Sequence, residues 1–327
     1  MRPIALTLGL TLACALALAL SALAGPSAVS AAHAMAALFG GGSDAARVIV
    51  WEIRLPRALA AFVTGAALGL SGAALQGLLR NPLAEPGVLG VSASAALGAA
   101  TAISFGLGAL SPLAVPIAAI AGALLAVALL AATAARGASN TGLILVGVGI
   151  SSLAGALMAM LMATAPNPFS LSELVNWMLG SVANRSLADL AFVAPFLGLG
   201  ALLLSLAGQG LRALTLGEEA AAGLGARLSV VRLLVIAGGG LATGASVAIA
   251  GVVGFVGLIT PHLVRPLVGR DPASAMWPSA LLAGLILVSA DLLIRLIPSN
   301  QELKLGVLAA LIGAPVFIVI AARGERP

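Results

Sequence analysis

Ten apolar runs, each close to the length that crosses a bilayer, leave this chain few ways to fold. A helix needs about 20 consecutive apolar residues to span the hydrocarbon core. The runs lie near 3–24, 56–79, 88–109, 112–135, 141–164, 187–207, 229–250, 253–270, 274–297 and 304–322. The eighth is the least regular, because Pro261, His262, Arg265 and Arg270 fall in it or at its end, and a short, broken span is expected there. A β-barrel would alternate apolar and polar residues, and these runs do not. The sequence therefore predicts an all-α polytopic membrane protein in a single transmembrane domain, residues 1–327. Charged residues make up 8% of the chain, against about 25% in soluble domains, so lipid must face most of the surface. The first run, 4–24, is longer than the roughly 7–15 apolar residues of a secretory leader. It is read as an uncleaved first span.

Forty glycines fit the same solvent. In lipid, helices gain from close backbone approach, which small residues allow. Gly65, Gly69, Ala73 and Gly77 recur every four residues, as do Gly240, Gly244 and Ala248. Each set predicts a tight helix contact.

The basic residues suggest an orientation with both termini in the cytoplasm. With the N-terminus inside, ten of the sixteen fall at inner ends of spans: Arg2, Arg80, Arg136, Arg212, Arg227, Arg232, Arg265, Arg270, Arg323 and Arg326. Arg47, Arg54, Arg57, Arg185, Arg295 and Lys304 fall outside. This bias follows the positive-inside pattern, and no nucleic-acid partner is needed to explain the charge. Two polar connections are long enough to do work, 165–186 outside and 208–228 inside. Ser170-x-x-Glu173, Ser186-x-x-Asp189 and Thr215-x-x-Glu218 have the spacing of capping boxes. Gly223 and Gly225 are placed to stop a short helix after the last of these.

Thr64-Gly65-Ala66 returns as Thr243-Gly244-Ala245, an offset of 179 at which Gly72, Pro82 and Gly90 meet Gly251, Pro261 and Gly269. The matched spans are the second and seventh, five apart, so they run in opposite directions. That predicts an inverted-topology repeat of spans 2–5 and 7–10, as transporters commonly have.

Several chemistries lack the residues they need. No phosphate-loop pattern occurs, and the single lysine, Lys304, precedes Leu305. His33 and His262 stand apart, and Cys14 is the single cysteine, so no catalytic residues, resident cofactor or metal site are expected in the chain. Asp189 and Asp291 fall near span ends, where Asp291 and Arg295 are spaced to pair. An ion-coupled carrier would instead keep ionisable groups near the midplane. Transport driven by a separate subunit fits better, with an ion-coupled secondary transporter as the rival of another class.

Four stretches then carry a resemblance: Arg54-Leu-Pro-Arg57; the run 76–92, which includes Asn81-Pro82-Leu-Ala-Glu85-Pro86-Gly87; Leu216-Gly217-Glu218-Glu219-Ala220 with Leu224-Gly225; and 254–265, followed by Gly313-Ala314-Pro315. In this order they resemble the FecCD family, permeases of type II ABC importers for iron-siderophores, haem and vitamin B12. The resemblance implies a homodimer in the bacterial inner membrane. It would be bound by two ATP-binding cassette subunits, which hold the ATP and Mg, and by a periplasmic or lipid-anchored substrate-binding protein. It implies that Leu216, Gly217, Glu218, Glu219, Ala220, Leu224 and Gly225 couple to the ATPase. It places Arg54, Arg57 and Arg295 at the binding-protein dock, and Asn81, Pro82, Ser139, Asn140 and Thr141 at a cytoplasmic gate. Trp177 and Met178, in the external connection, are weaker candidates for touching cargo or the binding protein, with an interfacial anchor as the equal alternative. An iron chelate is the expected cargo, with haem or vitamin B12 as alternatives; the motifs do not separate them.

Overall fold

The computed structural model describes residues 3–27, 29–269, 271–297 and 302–322. Arg2, Arg270, Arg323 and Arg326 of the orientation tally lie outside them. In chain order the helices are α1 (Pro3–Leu23), α2 (Ala31–Leu38), α3 (Asp44–Val48), α4 (Leu55–Leu79), α5 (Val91–Ser104), α6 (Ala114–Ala135) and α7 (Asn140–Ala163). There follow α8 (Pro168–Leu179), α9 (Leu187–Ala213), α10 (Glu218–Gly223), α11 (Leu228–Ala250), α12 (Val256–Val264), α13 (Pro272–Leu296) and α14 (Leu305–Ala322). A π-helical turn, Ile49–Arg54, leads into α4. The described residues contain no strand.

Seven of these helices are long and apolar enough to cross a membrane. Every apolar run carries a helix, but α5 and α12 are cut short at 14 and 9 residues. They rise about 21 and 14 Å at 1.5 Å per residue, less than the roughly 30 Å hydrocarbon core. The expected third span, 88–109, and eighth, 253–270, are therefore only partly helical. Pro261 lies inside α12, where hydropathy puts it and the 179-residue offset does not.

Capping follows sequence only in part. Ser186 and Asp189 form the expected capping box at the start of α9. Ser170 and Glu173 do not: Asn167 caps α8 by accepting from the Ser170 N–H, with Pro168 in the first turn. Asn167, three residues before Ser170, takes the cap because the proline that follows it starts a helix well. Thr215 donates back to the Arg212 carbonyl at 2.7 Å, so Gly217, at φ 102° and ψ 160°, begins α10. Glycine is the residue that adopts that backbone without strain.

The interior is built around α4 and α11, the most enclosed of the long helices. α4 packs on α13, α12 and α11, while α11 packs on α9, α6, α5 and α4. Small residues make these contacts. A Cβ on Gly65 would lie 2.4 Å from the Ala283 carbonyl oxygen of α13, and one on Gly72 would lie 1.9 Å from the Gly257 oxygen of α12. A Cβ on Gly244 would meet the Ala123 Cβ of α6 at 2.6 Å. The two predicted stripes are thus real helix seams. The buried side chains gather in two clusters. One holds Ile103, Leu174, Val182, Ile294 and Leu305; the other holds Leu78, Leu143, Leu211 and Val231 and lies toward the opposite end.

Gly72→Ala should lower stability by about 1–3 kcal/mol, the usual cost of overpacking. Gly155→Ala, where the added Cβ meets nothing within 4 Å, should be neutral or slightly stabilising. Thermal unfolding of both variants in detergent micelles checks the contrast.

Candidate functional site

At one end of the bundle Arg54, Arg57 and Arg295 converge on a cavity of about 560 Å³. They come from the π-helical turn, α4 and α13, so distant sequence positions meet here. Asp291 sits at the centre and is fully buried. Arg57 Nε and Nη2 donate to it at 2.9 and 2.8 Å. Arg295 Nε lies 3.1 Å from its other oxygen, as the i, i+4 spacing predicts. Arg57 also pairs with Glu302.

The other two guanidinium groups face inward. Arg54 donates to the Leu23 carbonyl at 2.6 Å and to Ser27 Oγ at 2.7 Å. Arg295 donates to the carbonyls of Ser21 and Ala24 at 3.1 and 3.2 Å. The last carbonyls of a helix lack intrahelical partners and carry partial negative charge. Arg54 and Arg295 are thus cationic caps for the end of α1, 3% and 8% exposed.

The opposite end carries the short acidic helix. Ala221 and Leu214 are buried and anchor α10. Glu218 is tied to Arg232 at 2.8 Å, and Glu219 points to solvent. Leu216 and Leu224, 67% and 69% exposed, flank it. Gly225, at φ 85°, ends the turn. Nearby Arg212 pairs with Asp271 at 2.8 Å. Partial burial opposes ionisation of Asp271. Hydrogen bonds from Arg212, Ser274 and the Ala273 N–H outweigh it and hold the carboxyl below its ordinary pKa.

Both expected gate connections lie at this end. Asn140 Nδ2 donates to the Leu78 carbonyl of α4 at 3.3 Å. Ser139 caps α7, and Asn81 Oδ1 accepts from the Leu83 N–H in a side-chain turn. Pro82 is half-buried and Thr141 exposed.

Beyond α8, a second cavity of about 640 Å³ is lined by Trp177, Glu173, Arg185 and Lys304. Arg185 stacks 5.7 Å from the Trp177 ring, an energetically useful distance. Met178 lies on the exposed side of α8. Among the described residues no three His, Cys, Asp or Glu side chains gather as metal ligands. His262 is half-buried on α12.

Sequence reasoning gave Glu85 no role. It lies in the non-helical stretch between α4 and α5 and is half-buried there. An acid between apolar runs, followed at once by Pro86 and Gly87, was the available signal.

Residues 12–323 match the FecCD transport family. The chain is 40% identical over 283 residues to the uncharacterized ABC transporter permease protein YvrB of Bacillus subtilis, covering 85% of this chain and 80% of that one. It is 39% identical over 280 residues to the vitamin B12 import system permease protein BtuC of Klebsiella pneumoniae, covering 85% and 84%. A solved structure of a metal-chelate type ABC transporter in an inward-facing conformation superimposes with a TM-score of 0.86. It is 32% identical and covers 97% of this chain and 99% of that one.

Asp291→Ala leaves Arg57 and Arg295 without their shared buried counter-charge. Stability should fall by about 3–5 kcal/mol, read as a lower unfolding midpoint in micelles.

Proposed function

The chain belongs to the FecCD transport family of type II importer permeases, and from that premise we propose how it works and what it carries. It is the membrane-spanning subunit of an ATP-driven importer for a bulky metal chelate in the bacterial inner membrane, with both termini cytoplasmic. Two copies enclose the path between them. Two ATP-binding cassette subunits hold the ATP and Mg and supply the power; a substrate-binding protein supplies the cargo. The observation that carries this reading is the pair of unlike ends: an exposed acidic helix flanked by leucines at one, and an arginine cluster at the other.

The α10 end faces the cytoplasm and docks the ATPase. Leu216 and Leu224 give exposed apolar contact area, Glu219 gives a free charge, and the Glu218–Arg232 pair ties α10 to α11 so that a push on the knob moves a central helix. Gly217, Ala220 and Gly225 shape the turn. The arginine end faces the binding protein. Charge there steers and registers an acidic partner, with Arg57 nearest the exposed Glu302 and with Arg54 and Arg295 holding the floor beneath. Asn81, Pro82, Ser139, Asn140 and Thr141 form the inner gate, which the Asn140–Leu78 contact supports.

The reciprocal packing of α4 on α12 and α13, and of α11 on α5 and α6, supports the inverted repeat and ten crossing segments. Motion of one half against the other would expose the path to alternate sides. The iron-chelate expectation rests on no residue. The likeness to vitamin B12 permeases favours a corrinoid, and both are metal complexes carried as a package.

Uptake of labelled cobalamin and of an iron-loaded siderophore into proteoliposomes separates the cargoes. Omitting the ATPase or the binding protein should abolish uptake; persistence without both would mean an ion-coupled carrier. Glu219→Ala should lower transport-coupled ATP hydrolysis about tenfold, the equivalent of one lost contact of about 1.4 kcal/mol, with basal hydrolysis by the ATPase unchanged.

A further inference from the structure

At the arginine end of the bundle most cations are already engaged. Arg47 pairs with Asp44, Arg54 caps α1, and Arg57 and Arg295 share Asp291. Arg185 and Lys304 are left over. Among the described residues neither side chain makes a hydrogen bond or an ion pair. Both line the cavity of about 640 Å³ beyond α8, a volume typical of small-ligand sites. The cavity adjoins the arginine site. Glu302, which pairs with Arg57, lines one, and Lys304, two residues on, lines the other.

The frame of this cavity is tied by backbone. Ser181 N–H bonds the Ala250 carbonyl at 2.7 Å, Val252 N–H bonds the Trp177 carbonyl at 3.2 Å, and Gly306 N–H bonds the Gly180 carbonyl at 3.3 Å. These bonds join the end of α8 to the end of α11 and the start of α14. A Cβ on Gly251 would lie 2.3 Å from the Trp177 carbonyl oxygen, so the contact has no slack. Arg185 stands on this frame with its guanidinium 5.7 Å from the Trp177 ring centroid. Its Nε is buried without a hydrogen-bond partner. A buried charge needs a counter-charge and hydrogen bonds, and the local acids do not supply them. Asp189 Oδ2 accepts from both the Ser186 N–H and Oγ–H at 2.8 Å, closing the α9 cap. Burial accordingly outweighs the Asp189 charge and holds the Arg185 pKa below its ordinary value. Glu173, also on the cavity wall, is exposed on α8 and makes no ion pair among the described residues.

We propose that this cavity is an entry subsite for an anionic group, a carboxylate or phosphate borne by the chelate, held by Arg185 and Lys304 beside Trp177. This rests on the importer reading for the source of the ligand, though binding is measurable without transport. A guanidinium takes carboxylate or phosphate through charge-assisted hydrogen bonds, and the ammonium of Lys304 adds a second positive charge to the same wall. A neutral chelate gains nothing from either. Glu173 repels the same anion and keeps the hold weak, as a station on a path must be if its occupant is to move on. The place also suits a handover, because residues 302–304 join this cavity to the arginine site where the binding protein is expected. The phosphate of an anionic lipid shares this chemistry, and the test separates the two sources.

The test is calorimetric binding to the full chain in phosphatidylcholine nanodiscs, with no ATPase or binding protein. The probes are ferric citrate, which presents free carboxylates, cobalamin, which carries a phosphate group, and a neutral ferric trihydroxamate. The two anionic probes should bind about tenfold more tightly than the neutral one. Arg185→Gln should raise Kd for ferric citrate about tenfold and Lys304→Gln about threefold, while Glu173→Gln lowers it about threefold. The neutral probe should not respond to any of the three. Equal binding of charged and neutral probes overturns the proposal, and so does an unchanged Kd in both cation variants. No measurable binding of any probe overturns it as well. Binding that disappears in phosphatidylglycerol discs assigns the cavity to a lipid headgroup and overturns the cargo role. If Arg185→Gln does not insert, the opposite shifts expected of Lys304→Gln and Glu173→Gln decide. Uptake that survives omission of the ATPase would sink the importer reading and leave these binding results standing.

Discussion

Backbone packed directly on backbone, in a solvent that offers neither hydrogen bonds nor a hydrophobic force between helices, is what this structure depends on. Leu against Leu gains little in lipid. α4 therefore meets α13 through Gly65 and Ala283, and α12 through Gly72 and Gly257, with no side chain between. The seams are thin and continuous, which suits halves that slide. The same solvent makes every break in a helix costly unless protein groups fill in: Ser151 of α7 meets the Gly87 carbonyl, and the Val252 N–H bonds the Trp177 carbonyl.

Charge is placed by the same constraint. Asp291 is buried between two guanidinium groups, which supply the pairing that a buried charge requires. Arg54 and Arg295 spend their donors on the carbonyls at the end of α1. The arginine end is thereby both a structural cap and a candidate dock. At the other end the charges are more exposed, and the acidic helix stands on two buried apolar anchors, Ala221 and Leu214. The two ends thus differ in kind, one a floor of buried ion pairs and the other an exposed acidic knob joined to α11 by the Glu218–Arg232 salt bridge.

Much of this was legible in the residues. The apolar runs gave the long helices within a few positions, the i, i+4 spacing gave the Asp291–Arg295 pair, and the glycine stripes gave the seams. Other readings failed where neighbours compete. Asn167 took the α8 cap from Ser170 because Pro168 fixed the first turn. Thr215 bonded backward, and a glycine conformation began α10 in its place. Proline and charge in the eighth run warned of a short α12, but hydropathy alone could not show that α5 stops early, since a run of apolar residues looks alike whether it is helical or extended inside a protein core.

The sequence by itself determined the class of solvent and the all-helical fold, because composition and periodicity act locally and need no partner, and its motifs carried the resemblance to a permease family. Only the tertiary structure decided that three arginines share one cavity, that two helices start in mid-bundle, and that Asn140 reaches the end of α4. Those facts depend on which distant segments become neighbours, and close packing of small residues sets that at a range no local pattern encodes.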